Sequence, residues 1–518
     1  MLALGALVAC THVQAPPAPL AHLTPGPPSV PAGSPLYIGN PAKSVRIETR
    51  VLGISPDGYG RWLAVAHFYD ARGKPTLVLA NSNLQWIPSA GVAQWQNRMR
   101  YGQPSAVVSV DRDGPIALTV RSTLPVLPTV VVRTNTRRWQ VTRTVAAAIG
   151  PHLVQVGWFP YSAVPVRIAR IDARGDRMVL AEVSGGSSYH DPTVQPGATY
   201  RYEVERTGEP ATLTGFVHVP QPLPQTAISD VAGSGSWLFF TINPTDPEYE
   251  AHLDPTAIAR QASAAHLHYV ELRVAYGEFF EITSRAKPTI DAIVDGLESH
   301  GVGVIAWVVP RQASYWDLRA TLEAAAYRTV EGRHFTGVAI DAERGDDYMG
   351  DGPAAIAAIG EYIRLVREAV GPNYLIVAIV EDPFFEGLDN TTYPYRTIAR
   401  YASVLQPMAY WRMMRKAPPK SAADVATEMR DSYRELERVA GRRMPISLGG
   451  QTSAITATGY PPASEIRASM DAAKRAGAIG EAFFAWNDTL PQQWVTIGGF
   501  RWSDDATRIL QRGGSAAR

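Results

Sequence analysis

The sequence predicts a multidomain chain: two β-sandwich modules followed by a (β/α)8 TIM barrel. Three observations predict it. The chain has 518 residues, too many for one ordinary domain of roughly 100–200. Residues 44–220 carry short runs of alternating apolar and polar residues, broken by turn signals and without a helical period. After the Pro-rich connection at 220–230, the pattern becomes apolar, strand-like runs alternating with amphipathic stretches of helical length.

At the N-terminus, an apolar stretch ends in Leu7-Val8-Ala9-Cys10, and Cys10 is the one cysteine of the chain. Small residues before a lone cysteine, followed by a Pro-rich spacer, resemble a bacterial lipoprotein signal. The resemblance implies a signal over 1–10, lipidation of Cys10, and a linker over 11–43 that lifts the rest off a membrane. The protein is then expected outside the cytoplasm, anchored by that lipid or secreted. No stretch has the ~20 apolar residues of a transmembrane helix. The linker reads APPAPLAHLTPGPPSVPAGSPL from residue 15, and such a stretch favours extended polyproline conformations.

The first module spans 44–140. SVRIETRVL, RWLAVAHFYD, SAVVSVD and GPIALTVRS read as strands, and SPDG, DARGKP and DRDG as turns. A strand running into a D-x-x-G-x-P turn resembles bacterial immunoglobulin-like domains. The second module spans 150–220, with VQVGWFP, VRIARIDARG, MVLAEVSGG, TYRYEVERTG and TLTGFVHV as strands. SSYHDPTVQPGATYRYEVER resembles fibronectin type III domains, with Trp158 as the buried tryptophan and Tyr200 as a corner tyrosine. Arg-Gly-Asp occurs at 174–176 and 344–346; the first reads as a hairpin turn.

The barrel is expected over 231–514. Its strands read WLFFTIN (237–243), YVELRVAYG (269–277), GVGVIAWVV (301–309), FTGVAID (335–341), YLIVAIV (374–380), ASVLQPMAY (402–410), MPISLGG (444–450) and IGEAFFAW (479–486). Helical stretches lie between them, and one near 504–512 closes the chain. Near-continuous apolar runs suit parallel strands covered by helices.

The fourth run, FTGVAIDAERGDD, carries the strongest functional signal. Side chains alternate along a strand, so Phe335, Gly337, Ala339, Asp341 and Glu343 share the face that points into the barrel. Asp341 and Glu343 then lie at the C-terminal end, where barrel enzymes place their chemistry. Carboxyls so close rarely both ionise, so one keeps its proton toward neutral pH. A retained carboxyl proton is what a general acid needs.

F-T-G-V-A-I-D-A-E resembles the fourth-strand signature of glycoside hydrolase family 18, the chitinase-like barrels, D-G-x-D-x-D-x-E. Gly337, Asp341 and Glu343 match; Thr336 and Ala339 stand where that pattern has aspartates. LQPMAYW supplies Gln406, Met408 and Tyr410 on the sixth strand, and EAFFAW supplies Trp486 on the eighth. The resemblance implies Glu343 as general acid and attack by the substrate's own N-acetyl group, with no carboxylate nucleophile. It implies Asp341 as the group that orients and stabilises the acetamido, and Tyr410 as its hydrogen-bond partner. Trp486 is expected as a floor for the sugar, with Met408, Gln406 and Trp307 lining the mouth.

Two alternatives stay open. Glu381 and Asp382 end the fifth strand, so a two-carboxylate glycosidase pairing Glu343 with either is possible. A catalytically silent barrel that binds carbohydrate at a cell surface is the other. The expected partner is a glycan in each case. The net charge of +1, with no Lys/Arg stripe, gives nucleic acid no footing. His266 and His268 lack further ligands at metal spacing, so no metal site is expected. Without a glycine-rich phosphate loop or a G-x-S-x-G elbow, no cofactor is expected.

Overall fold

The computed structural model describes residues 37–38, 42–78, 84–95, 104–112, 114–122, 129–135, 144–239, 254–345, 348–385, 388, 390–412, 421–454 and 459–502. Cys10 and most of the expected linker fall outside these, as does the helix expected near 504–512. The chain divides into two compact units, with the boundary between Gln221 and Pro222.

In the N-terminal unit, two antiparallel sheets, one of six strands and one of three, share a core. Strand Gly60–Tyr69 shows why. Every second residue, Trp62, Ala64, Ala66 and Phe68, is buried, and this row meets Leu84, Trp86, Ile116, Leu118 and Val120 of the smaller sheet. The larger sheet reaches back past the expected start at residue 44, since Tyr37–Ile38 pairs with Leu77–Val78. A second six-stranded sheet follows. Its strand Thr144–Gly150 precedes the expected start at residue 150 and pairs with Leu153–Trp158. Trp158 is fully buried and its indole donates to the Gly186 carbonyl at 2.9 Å. The Tyr200 hydroxyl accepts from the Gln195 amide at 3.3 Å, tying the preceding loop to the sheet.

The sequence Asp-Ala-Arg-Gly occurs in both parts of this unit and makes the same turn each time. Asp70 accepts from the amides of Arg72 and Lys74, and Asp172 from those of Arg174 and Asp176. Gly73 and Gly175 take the left-handed conformation that the turn requires (φ 73° and 93°). The first Arg-Gly-Asp is therefore part of a hairpin turn.

The C-terminal unit is a closed parallel barrel. Its strands are Gly233–Leu238, Tyr269–Tyr276, Gly303–Val309, Val338–Asp341, Ile376–Val380, Val404–Pro407, Ser447–Gln451 and Gly480–Phe484. They pair in chain order, and the first also pairs with the eighth. Parallel bridges Leu405–Ile446 and Met408–Gly449 join the sixth to the seventh and complete the circle. Helices follow the strands; four of them are Pro255–Ala264, Pro353–Val370, Ala422–Ala440 and Ala463–Ala476. Among the described residues, no helix is long and apolar enough to cross a membrane.

Two elements depart from the sequence expectation. The first strand begins at Gly233 rather than Trp237. Its opening residues, Gly-Ser-Gly-Ser, are small because neighbouring groups press against them. A Cβ on Gly235 would lie 2.3 Å from the Tyr269 ring, and Ser236 donates its hydroxyl to the Phe483 carbonyl. After the eighth strand comes a helix that was not expected, Pro491–Gly498, only two turns long and hard to see by periodicity.

Strand closure makes one position intolerant. A Cβ on Gly480 would lie 2.3 Å from the Gly233 carbonyl oxygen and 2.7 Å from the Gly233 nitrogen. Both are backbone atoms of the adjoining strand and cannot rotate away. Gly480→Ala is expected to destabilise the barrel by about 1–3 kcal/mol, measured as a lowered midpoint in thermal or urea unfolding.

Candidate active site

The fourth strand ends at Asp341, and Glu343 lies just beyond it. Ala339 faces the barrel axis among Trp237, Trp307, Tyr410 and Phe484. Gly337 is required below it, because a Cβ there would meet the Leu375 side chain at 2.9 Å. Asp341 and Glu343 are each only 4% exposed. Loss of water is therefore the largest influence on both.

The two carboxyls act on one another. Asp341 Oδ2 accepts from the Trp307 indole at 3.2 Å, and its Oδ1 makes no hydrogen bond. Burial pushes Asp341 up to about 7; the bond from Trp307, the Glu343 carboxyl and the charge of Arg273 pull it back. Burial raises Glu343 well above its ordinary value. The negative charges of Asp341 and Glu381 raise it further, and the Tyr348 hydroxyl bonded to it opposes them. The charge of Asp341 is among the causes that raise Glu343, so Glu343 is the member that holds its proton to higher pH, and the two titrate as a unit.

Glu381 is committed elsewhere. Its carboxylate accepts from Arg344 Nε and Nη2 at 2.8 and 2.9 Å, and from the Arg344 amide at 3.2 Å. Asp382 Oδ1 caps the next turn by accepting from the Phe384 amide at 2.8 Å. Of the other mouth residues, Tyr410 packs against Trp237 and Phe484, with ring centroids 6.3 and 5.5 Å apart. Met408 is buried in the same cluster. Gln406 points across the barrel and donates to Glu271 Oε1 at 2.9 Å.

Trp486 does not reach this cluster. The chain leaves the eighth strand after Phe484 and turns into a short 3-10 helix, so the alternation that would have aimed Trp486 inward stops. Its ring rests on Trp494 with centroids 4.8 Å apart. Phe484 takes the inner position, beside Trp237, Phe239, Trp307 and Tyr410.

Glu271, Tyr348 and Phe484 were not anticipated. Glu271 left a trace in YVELRVAYG, an acid in an apolar strand. Nothing local marks Tyr348, which returns to Glu343 through a loop closed by the Gly345–Gly350 bridge. Arg273 pairs with Glu281 through Nε and Nη2 at 3.1 and 3.2 Å. His268 accepts from the Ser234 amide beneath the first strand, and no cluster of three or more potential metal ligands occurs among the described residues.

No family model and no curated protein matches the chain. Solved structures do. The Bacillus cereus spore cortex-lytic enzyme SleL shares 12% identity over 55% of this chain and 77% of its own, with a TM-score of 0.36. The class V chitinase from Nicotiana tobaccum shares 12% over 52% and 99%, with a TM-score of 0.38. The β-glucuronidase from Ruminococcus gnavus shares 9% over 92% and 98%, with a TM-score of 0.34. Likeness at this level carries no argument, and the chemistry has to be read from the site.

The raised carboxyl makes a signed prediction. Asp341 titrates near 4 in an unfolded chain and at about 7 in the folded one. Between those values the unfolded state ionises first, so this group's contribution to stability is lost as pH rises. Asp341→Asn is expected to melt higher than the unsubstituted protein at pH 8, by an amount on the order of a few kcal/mol. The difference should shrink toward zero at pH 4.

Proposed function

We propose that the barrel is a glycoside hydrolase acting on a glycan that contains N-acetylhexosamine, with catalysis assisted by the substrate's own acetamido group. The observation that carries this reading is the burial of Asp341 and Glu343 together at the end of the fourth strand, beside the Trp307 indole; burial and the charge of Asp341 raise Glu343, which favours its keeping a proton. Glu343 gives that proton to the glycosidic oxygen as the bond to the anomeric carbon breaks. The acetamido carbonyl oxygen bonds to that carbon in the same event, and the sugar becomes a cyclic cation. Asp341, ionised, orients the acetamido N–H and balances its charge. Water, giving a proton back to Glu343, then opens the ring. Tyr410 is the candidate donor to the acetamido oxygen, and Phe484 replaces Trp486 as the apolar surface beneath the sugar.

The ion pair with Arg344 argues against Glu381 as a second catalytic carboxylate, since a paired carboxylate is a poorer base and nucleophile. Glu343→Gln is expected to lower kcat on β-linked N-acetylglucosamine oligomers by about 10²-fold or more. Glu381→Gln should cost at most about tenfold; a loss as deep as that of Glu343→Gln would move the assignment to the two-carboxylate scheme.

The deep burial of both carboxyls favours a second reading, a silent barrel that binds carbohydrate. Glycan binding without turnover, retained in Glu343→Gln, would establish it. On either reading the N-terminal strands are immunoglobulin-like and fibronectin type III-like modules that hold the barrel at a cell surface. The lone Cys10 in its small-residue context supports a lipid anchor. Cys10→Ala should release the protein from the membrane fraction into the soluble one.

A further inference from the structure

The barrel holds a third carboxyl that the proposed reaction does not use. Glu271 lies on the second strand, facing inward and fully buried. It pairs with Ile305; the next residue, Ala306, pairs with Val338, three residues before Asp341. Glu271 is thus deeper in the barrel than the catalytic pair. Its Oε1 accepts from Gln406 Nε2 at 2.9 Å, a bond that spans the interior from the sixth strand to the second. Its Oε2 has no hydrogen-bond partner; the Trp237 indole lies close by on the first strand without completing a bond.

The groups that act on Glu271 are neutral or negative: Gln406 from the sixth strand, Trp237 from the first and Asp341 from the fourth. Tyr269, two residues before it, also feels its charge. Arg273, two residues after it, is paired with Glu281. An ionised carboxylate in that setting would be buried without a cation, which is costly. Burial pushes Glu271 up to about 8. A glutamine could accept the same bond from Gln406 without this cost, so packing does not account for an acid here.

Building on the hydrolase reading above, we propose that Glu271 is a positioning residue of the same site: a carboxyl kept neutral beneath Asp341, whose ionisation slows the chemical step. The sign follows from its depth. Substrate enters from the mouth, above the pair, and Glu271 lies below it. A negative charge on Glu271 is nearer to Asp341 and Glu343 than to the sugar. It strengthens the hold of Glu343 on its proton more than it stabilises the cation forming above.

The test is Glu271→Gln, read two ways on the full chain. Hydrolysis of a β-linked N-acetylglucosamine tetramer, itself uncharged, is followed from pH 5 to 10. At pH 7 the variant should keep kcat/KM within about threefold, because Gln matches the neutral acid. Above pH 8 the rate of the unsubstituted enzyme should fall while the variant holds for about one further pH unit. In thermal melts the sign is also fixed. Unfolded, Glu271 ionises near 4.5; folded, it ionises at about 8. The unsubstituted protein therefore loses stability relative to Glu271→Gln as pH rises between these values, and the gap is constant above them.

Coincident pH–rate profiles would overturn the inference. So would a melting difference independent of pH, or a loss greater than about tenfold at pH 7 in a folded variant, since the carboxyl would then act in the chemistry itself. Should Glu271→Gln fail to fold, Gln406→Met serves instead. Loss of the amide donor pushes Glu271 further up, and the alkaline fall should move to higher pH; an unmoved fall counts against the proposal. Absence of turnover by the unsubstituted enzyme at every pH would defeat the hydrolase reading and this inference with it. Turnover with both profiles superimposed defeats this inference alone.

Discussion

A carboxyl group that loses its water must find a cation or keep its proton, and the interior of the barrel sorts its acids by that rule. Glu281, Glu381 and Glu465 have arginines, Arg273, Arg344 and Arg412, each within hydrogen-bonding distance. Glu271, Asp341 and Glu343 have none so placed; Glu271 accepts from Gln406 and Asp341 from Trp307, and the Tyr348 hydroxyl acts on Glu343. Three buried acids without a cation cannot all ionise. The site therefore holds stored protons at pH values where exposed carboxylates have lost theirs.

That sorting depends on how the barrel excludes water. Five aromatic residues, Trp237, Phe239, Trp307, Tyr410 and Phe484, crowd the inner mouth. They fit because the strands between them are thinned. A Cβ on Gly449 would meet the Pro407 carbonyl oxygen at 2.7 Å and the Trp237 ring at 3.0 Å. Gly235 and Gly337 make similar room for Tyr269 and Leu375. Small residues on some strands and large rings on others fill one interior, as barrel packing demands. Trp307 joins the two effects, since one side chain both removes water and donates to Asp341.

The same physics decides what could be read from the sequence. Strands covered on both faces must be apolar, so the runs at 301–309, 335–341 and 374–380 stood out. The first strand was read only from Trp237, because its opening residues are glycine and serine, held small by close contacts. Asp341 was legible from alternation alone. Glu343 was legible through the same alternation, although the strand ends two residues before it and the loop maintains its direction. Trp486 shows the limit of that rule: alternation predicts a side chain's face only while the strand lasts, and the chain turns at Ala485. Tyr348 and the partners of Glu271 depend on contacts between elements far apart in sequence, which no local pattern encodes.

The pairing of Arg344 bears on the acid more than on the loop it belongs to. Arg344 follows Glu343 directly. Glu381 takes up the guanidinium through two side-chain bonds and also accepts from the Arg344 backbone amide. The negative end of that ion pair is what reaches the catalytic pair, and it raises both Glu343 and Asp341. An acid from the fifth strand thus contributes to proton storage on the fourth without touching substrate. It does so through its charge, while Arg344 holds it in place.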